Sequence, residues 1–194
     1  MPRAADGQLQ ERIVKAAQRL WRNRGEKGLT LRAVARAAGT TTTTVYKRFR
    51  NKEALRVALA QRVYRQLTEE TTSAPTLKEV FRRHLRFAET HPREYQLLFG
   101  PSWTKIFAPG RPRPLTDWLL AQLAEKFGGK PDDYLPFRFL LFLTTHGAAS
   151  LLAASPRSPM SRGVREICNA ACDTMIDNVQ LFARRPELKR ARAG

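Results

Sequence analysis

The chain has 194 residues, 42% of them hydrophobic, and a formal net charge of +18. This length suits one subunit with two small helical domains, and the apolar share is enough to bury a core. Residues 1–66 hold 16 Lys/Arg against 4 Asp/Glu, whereas residues 67–194 hold 19 against 13. A generally arginine-rich composition would explain part of the second excess but not the first, which is typical of a phosphate-binding surface.

Several classes of protein are excluded by simple features. The N-terminus, MPRAADGQLQ, lacks the apolar core of a signal peptide. The densest apolar patch, Phe139 to Leu143, is far too short to cross a bilayer. Two cysteines four residues apart do not form a disulfide scaffold; they favour small buried thiols in a helix seam over a redox sensor. We therefore expect a cytoplasmic, nucleoid-associated protein without a membrane partner.

The first predicted elements are a flexible arm over residues 1–8 and a helix over 9–23. The apolar positions of this helix recur at spacings of three and four, which indicates one buried face. They are Leu9, Ile13, Ala16, Ala17, Leu20 and Trp21. Gly25 and Gly28 mark the loop that follows.

Residues 29–53, LTLRAVARAAGTTTTTVYKRFRNKE, predict two short helices joined by a tight turn. Thr30 is a good N-cap for the first helix, Gly39 supplies the left-handed geometry that ends it, and Thr41 can cap the second. An Ala-Ala-Gly elbow allows the helices to cross closely. This is the geometry of a helix-turn-helix, in which the second helix enters the major groove of DNA.

The same stretch resembles the TetR family of bacterial transcriptional regulators. The family pattern is matched at fixed spacing by Ala38-Gly39, Thr41, Thr44-Val45-Tyr46, Phe49 and Lys52-Glu53-Ala54-Leu55. The resemblance extends from Ile13 to about Leu59. Two positions depart from it: Glu26 stands where the family usually has an aromatic residue, and Thr40 to Thr44 replace mixed residues.

The rest of the chain predicts further helices, for an all-α fold of about nine. Their expected spans are 51–71, 76–90, from Pro92 to the Pro101 break, 115–127, 132–154 and 164–184. The helix over 132–154 is apolar on nearly every side, so we expect it to be buried on several faces. Residues 9–55 are assigned to the DNA-binding domain, 56–184 to a ligand-binding and dimerisation domain, and 185–194 to a basic tail.

Two segments resemble the C-terminal domain of one TetR subgroup, which carries His-Pro-x-x-Tyr and Trp-His-Gly motifs. These segments are HPREYQLLF (residues 91–99) and LTTHGAASLL (residues 143–152). His146-Gly147 match the second motif, whereas Thr145 replaces its tryptophan.

The DNA contacts are expected on the outer face of the second short helix and beside it. Threonine hydroxyl and methyl groups can contact base edges, and a long cationic side chain can make a two-point contact with guanine; Arg32 and Lys47 are the candidates for base contacts. The N-terminus of the next helix, with Lys52, favours a phosphate. The full predicted set is Arg32, Thr41, Thr42, Thr43, Thr44, Tyr46, Lys47, Arg48 and Lys52.

Aromatic residues and histidines of the larger domain suggest an internal pocket for an apolar or aromatic effector. The candidates are His84, Tyr95, Trp103, Phe107, Trp118, Phe142 and His146. Each residue taken singly is more often part of a core than a ligand contact.

A dimer interface is expected on the last helix, whose apolar positions alternate by three and four as in a helix-bundle seam. The candidates are Cys168, Ala171, Met175, Val179 and Phe182. Together with the apolar helix before it, this face predicts a four-helix bundle about a two-fold axis.

The resemblance implies a non-enzymatic regulator, most often a repressor, that a small molecule releases from a palindromic operator on double-stranded DNA. The scattered His84, His91 and His146 give no metal or catalytic spacing, and we expect no cofactor. The alternative is a constitutive architectural DNA-binding protein without effector control, against which the large aromatic-rich second domain argues.

Overall fold

The computed structural model describes residues 2–101, 103–110 and 112–182, with side-chain surroundings given from Gly7 onward. Within these ranges all regular secondary structure is helical, which confirms the all-α prediction. The α-helices are α1 (Pro2–Gly28), α2 (Leu31–Ala37), α3 (Thr42–Arg48), α4 (Lys52–Thr72), α5 (Leu77–Thr90), α6 (Pro92–Leu98), α7 (Trp103–Ile106), α8 (Pro114–Phe127), α9 (Leu135–Ala154) and α10 (Ser161–Asp177). Short 3-10 turns span Pro131–Tyr134 and Val179–Leu181.

Several helix bounds differ from the predicted ones, and one helix is additional. Helix α1 begins at Pro2, so the expected arm is helical from that residue onward; proline suits a first helical turn, and alanine, a strong helix former, occupies positions 4 and 5. The short α7 is an additional helix beyond the Pro101 break. Helix α10 ends at Asp177 rather than at 184, where the Thr174 carbonyl accepts from both the backbone N–H of Asn178 at 3.1 Å and its side-chain amide at 2.9 Å, and a 3-10 turn follows. The predicted tail, residues 185–194, lies outside the described residues.

Side-chain caps set the starts of the helices around the turn, as the sequence predicted. The Thr30 hydroxyl accepts from the Ala33 amide at 3.1 Å, and the Thr41 hydroxyl accepts from the Thr44 amide at 3.1 Å. Between them Gly39 has a φ of +63°, a left-handed conformation that a side chain would strain. The Asn51 side chain caps α4 through the Ala54 amide at 2.9 Å. The helix-turn-helix is therefore built from local hydrogen bonds.

The chain forms two compact units, and they do not follow the predicted boundary at residue 55. The first unit holds the described residues up to Gln66 together with those from His91 to Arg111. The second holds Leu67–Thr90 and the described residues from Pro112 onward. Helices α6 and α7 thus belong to the unit that carries the helix-turn-helix, although they follow α5 in the sequence.

A buried carboxylate fixes α6 to α1 within the first unit. Glu94 is fully buried and accepts from the Arg22 guanidinium at 2.9–3.0 Å and from the Gln18 amide at 2.6 Å. The Trp21 indole N–H donates to the Arg93 carbonyl at 2.8 Å. Because burying an unpaired carboxylate would cost several kcal/mol, these partners hold the first turn of α6 against α1.

The second unit is built on α5, α8, α9 and α10, with α9 packed against both α5 and α10. One face of α9 is buried, through Phe137, Leu141 and Ala149. The opposite face is exposed: Phe139 and Leu143 are each 51% exposed, and Leu151 is 60% exposed. The expectation that this helix is buried on several faces is therefore wrong for the single chain, since α5 and α10 cover only part of its girth.

The same stretch also corrects the expectation that the apolar part of the chain is far too short to cross a bilayer. By length and composition alone, the helical segment Pro131–Ala154 could cross a membrane; it is one such helix among the described residues. A third of its apolar window (33%) is buried inside the unit, and a core helix passes the same test. One helix of this kind is weak evidence for a membrane span.

Acid should destabilise the second unit through His84. Burial, and then the charge of His146, lowers the pKa of His84 from 6.5 to about 4. The unfolded chain therefore binds a proton between these pH values that the folded chain does not. The contribution of neutral His84 to the free energy of unfolding is complete above pH 6.5 and disappears as the pH falls to about 4. The loss is on the order of 3 kcal/mol.

Urea unfolding of the wild type and His84→Asn at pH 7, 6, 5 and 4 measures this loss of stability. The carboxylates contribute equally to both proteins, so the difference between the two free energies of unfolding should shrink with acidification by about that amount. A difference that stays constant from pH 7 to pH 4 would contradict it.

Candidate nucleic-acid interface and ligand-binding residues

The turn between α2 and α3 presents a polar and basic surface to solvent. Arg32, Thr43 and Lys47 are exposed, and Tyr46 is 55% exposed although it is aromatic. Thr42 is half-buried. On the inner side Val45 is fully buried and Phe49 is buried, which anchors α3 and leaves its outer face free for a groove.

Two of the predicted threonines are already engaged in the start of α3. The Thr41 and Thr44 hydroxyls lie 2.9 Å apart and share a hydrogen bond, while the Thr41 oxygen also accepts from the Thr44 amide. These two hydroxyls therefore set the helix start, whereas the hydroxyls of Thr42 and Thr43 take no part in the cap. Arg48 is half-buried and donates to the Thr44 carbonyl at 3.4 Å.

Lys52, at the start of α4, is held by a residue that the sequence analysis did not assign to the site. Its ammonium donates to the Glu26 carbonyl at 3.3 Å and lies 3.7 Å from the Glu26 carboxylate. The same carboxylate lies 3.3 Å from the Arg56 guanidinium. Glu26 stood out only as a departure from the family pattern; its position within an otherwise basic segment was the available signal. The Glu26 carboxylate is thus paired with Lys52, the cation that was expected to contact a phosphate.

The seven predicted ligand-binding residues do not form one site within one unit. Tyr95, Trp103 and Phe107 belong to the first unit, where they cluster with Phe99 and Tyr64. Ring centroids are 4.7 Å apart for Tyr95–Phe99, 4.1 Å for Trp103–Phe107 and 5.0 Å for Tyr64–Phe107. Tyr95 is 1% exposed, so this cluster acts first as core.

The other four residues belong to the second unit. Phe142 and His146 stack at a centroid distance of 5.3 Å, and the Ser150 hydroxyl lies 3.5 Å from His146 Nε2. Burial lowers the pKa of His146, as it does that of His84. Burial therefore favours the neutral imidazole at both histidines, and that of His146 lies against the Phe142 ring. Trp118 instead lines a separate cavity of about 320 Å³ with Pro75 and Lys126.

The predicted dimer face needs a correction. Cys168 and Val179 are 4% and 5% exposed, so they belong to the core of the second unit. Ala171 and Met175 are half-buried, and Phe182 is half-buried and stacks on Phe137 at 5.8 Å. The exposed large apolar residue of α10 is Ile167, which is 74% exposed. Part of the apolar stripe of α10 therefore serves the unit's own core, and the dimer interface stays a prediction.

The two cysteines are free thiols in this core. A hydrogen bond to Cys172 and burial raise the pKa of Cys168, and the same hydrogen bond lowers that of Cys172. The Thr145 hydroxyl lies 3.6 Å from Cys172 Sγ. Among the described residues, no group of three or more His, Cys, Asp and Glu side chains could hold a metal ion.

Comparisons with known proteins bear on both the motif and the fold. Residues 13–59 match the family described as bacterial regulatory proteins, tetR family. No curated protein sequence is significantly similar to the chain.

Solved structures extend the likeness beyond the matched segment. A TetR transcriptional regulator from Streptomyces coelicolor is 22% identical, with a TM-score of 0.66 over 90% of this chain and 99% of that one. A TetR-family regulator from Haemophilus influenzae is 23% identical, with a TM-score of 0.56 over 86% and 97%. A TetR variant from Acinetobacter baumannii in complex with minocycline is 19% identical, with a TM-score of 0.58 over 89% and 97%. The chain thus carries a TetR-family helix-turn-helix domain and has the fold of TetR-family transcriptional regulators.

Removing the Glu26 charge should strengthen DNA binding. Glu26→Gln frees Lys52 for a phosphate, and an exposed ion pair of this kind is worth little, so we expect a gain of about two- to fivefold for operator and scrambled duplex alike. Fluorescence anisotropy at low salt measures it, with Glu11→Gln as a control acid of the same unit.

The double variant Glu26→Gln/Lys52→Ala separates direct competition from general charge. The gain should vanish when Lys52 is absent. A gain of equal size in the Lys52→Ala background would show that Glu26 acts only through the net charge of the surface.

Proposed function

From its TetR-family domain and fold, we propose that this chain is a cytoplasmic, nucleoid-associated transcriptional repressor that binds a palindromic operator as a homodimer and is released by a small molecule. The observation that carries the proposal is the capped helix-turn-helix with an exposed basic and threonine-rich face. No catalytic role is assigned to any residue.

Base recognition is assigned to α3 and to the start of α2. Arg32 and Lys47 are exposed and long enough to reach base edges, and Thr42 and Thr43 can contact thymine methyl groups. The phosphates are assigned to Tyr46, Arg48 and Lys52, which lie at the end of α3 and the start of α4. Thr41 and Thr44 contribute by fixing the start of α3.

The dimer is assigned to the outer faces of α9 and α10. Phe139 and Leu143 are four residues apart on α9 and so share a face, Leu151 is exposed farther along the same helix, and Ile167 is exposed on the neighbouring α10. Apolar side chains that are exposed as a contiguous patch mark interaction surfaces. Two copies would cover them in a four-helix bundle with two-fold symmetry, which also places two α3 helices for one palindrome.

The effector is assigned to the second unit, near His84, Phe142 and His146, with Trp118 as a further candidate. The neutral histidines and aromatic rings there suit an apolar or aromatic molecule, and one fold neighbour was solved with minocycline. The chain passes between the two units at residues 66–67 and 90–91, so a shift in the second unit can reach the first through the backbone. Membership of the Trp-His-Gly subgroup stays a prediction, since Thr145 replaces its tryptophan.

Footprinting distinguishes this function from the architectural alternative. A repressor should protect one short palindrome and leave flanking DNA open. Protection that spreads along the duplex with rising protein, without a preferred site, would favour an architectural protein.

Substitutions in the reading surface should separate base contacts from phosphate contacts. Arg32→Ala and Lys47→Ala should each cost on the order of 1–3 kcal/mol in operator binding and much less in non-specific binding. Lys52→Ala should weaken both alike and flatten the salt dependence. Titration of operator and scrambled duplex over a salt series tests this; an unchanged specificity ratio in Arg32→Ala would remove it as a base-contacting residue.

A charge on the outer face of α10 should dissociate the dimer without unfolding the chain. Ile167→Glu buries a carboxylate in the proposed interface and should yield folded monomers with weak operator binding. Met160→Glu adds the same charge at another exposed apolar residue, 70% exposed at the start of α10, and is the control. Sedimentation that finds a wild-type monomer at micromolar concentration, still bound tightly to a half-site, would contradict the dimer.

A further inference from the structure

The first unit contains a cavity of about 310 Å³ whose walls come from α1, α4 and α6. This volume is at the lower end of those that hold small organic ligands. It is distinct from the residues of the second unit assigned to the effector. All the residues that line it belong to the unit with the helix-turn-helix.

An interruption of α1 helps to form the cavity. Gly25 has a φ of +61° and a ψ of −150°, so the helix kinks there before Glu26. A Cβ atom at this position would lie 4.0 Å from Arg93 Nε, and the left-handed φ would strain any other residue. Glycine thus lets the backbone of α1 turn beside the Arg93 guanidinium.

The polar part of the wall is suited to an anion. Two guanidinium groups, those of Arg56 and Arg93, line the cavity, and Glu26 is the one carboxylate among its lining residues. Arg93 donates to the Arg22 carbonyl at 2.6 Å, and Arg56 pairs with Glu26 and Glu53. The Nε of Arg56 is buried without a hydrogen-bond partner, which is unusual for a donor shielded from water.

The apolar part of the wall is suited to a flat ring. Trp21 and Leu97 are 7% and 4% exposed, and both line the cavity. The indole N–H of Trp21 is already used by the Arg93 carbonyl, so its ring contributes surface rather than a donor. We propose that this cavity binds a small organic carboxylate with a flat apolar body, its carboxylate between Arg56 and Arg93.

Occupancy should act on Lys52 through Glu26. The Glu26 carboxylate now lies 3.3 Å from Arg56 and 3.7 Å from Lys52. A ligand carboxylate that takes Arg56 leaves Lys52 as the remaining partner of Glu26 and withdraws that ammonium from phosphate. The ligand therefore weakens DNA binding. This consequence rests on the proposed function, whereas the binding of the ligand in the cavity does not depend on that function.

Benzoate is the probe for the site, with neutral benzamide as its isostere. A chain with Trp103→Phe and Trp118→Phe keeps Trp21 as its one tryptophan, since the sequence holds three. Its fluorescence should change saturably with benzoate and respond at least about tenfold more weakly to benzamide, because the charged hydrogen bonds are lost. Arg93→Gln should weaken benzoate binding to a similar degree.

Two matched variants test the location. Gln96→Phe fills the proposed cavity, whereas Gln122→Phe fills the 320 Å³ cavity of the second unit. Gln96→Phe should abolish the fluorescence response and Gln122→Phe should preserve it. No saturable response, a response equal for benzamide, or one that survives both Gln96→Phe and Arg93→Gln would overturn the site.

The DNA measurement tests the coupling separately. Saturating benzoate should lower operator affinity about two- to fivefold, and this loss should vanish in Glu26→Gln. If benzoate binds but operator affinity is unchanged, the coupling through Glu26 is wrong. A chain that binds no DNA refutes the proposed function, while the fluorescence arm still decides the cavity.

Discussion

The pairing of a buried carboxylate decides how this chain divides into units. Glu94 has no exposed surface, and taking its charge out of water is tolerable only because Arg22 and Gln18 on α1 donate to it. Those hydrogen bonds assign α6, and α7 after it, to the unit of the helix-turn-helix. The unit that carries the helix-turn-helix therefore includes α6 and α7, which are preceded and followed in the sequence by residues of the second unit.

This arrangement gives the first unit more than a DNA-binding surface. The same junction of α1, α4 and α6 holds the Glu94 network, the cavity beside Arg93 and the ion pairs around Glu26. Glu26 connects them chemically, since its carboxylate is shared by Arg56 in the cavity wall and Lys52 at the surface. Within a strongly basic surface, the Glu26 carboxylate thus competes with phosphate for the Lys52 ammonium.

The second unit combines neutral histidines, aromatic rings and an uncovered apolar face. Burial keeps His84 neutral, which avoids a charge in the core and makes the imidazole a hydrogen-bonding group. The exposed face of α9 carries Phe139 and Leu143 and adjoins Phe142, whose ring centroid lies 6.3 Å from that of Phe139. Buried core residues such as Leu141 lie on the other side of the same helix.

The sequence alone determined whatever depends on neighbours along the chain. Thr30, Gly39 and Thr41 fix the helix-turn-helix by hydrogen bonds and dihedral preferences within a few residues, so their roles could be predicted. Helical periodicity likewise predicted the all-α fold. The tertiary structure decided which apolar stripe faces the unit's own core, turning Cys168 and Val179 inward and Ile167 outward, because periodicity gives spacing and not phase. It also decided that Glu26 pairs with Lys52 and that Glu94 joins α6 to α1. The partners of these two ion pairs are 26 and 72 positions apart in the sequence, so the pairs depend on packing that no local pattern encodes.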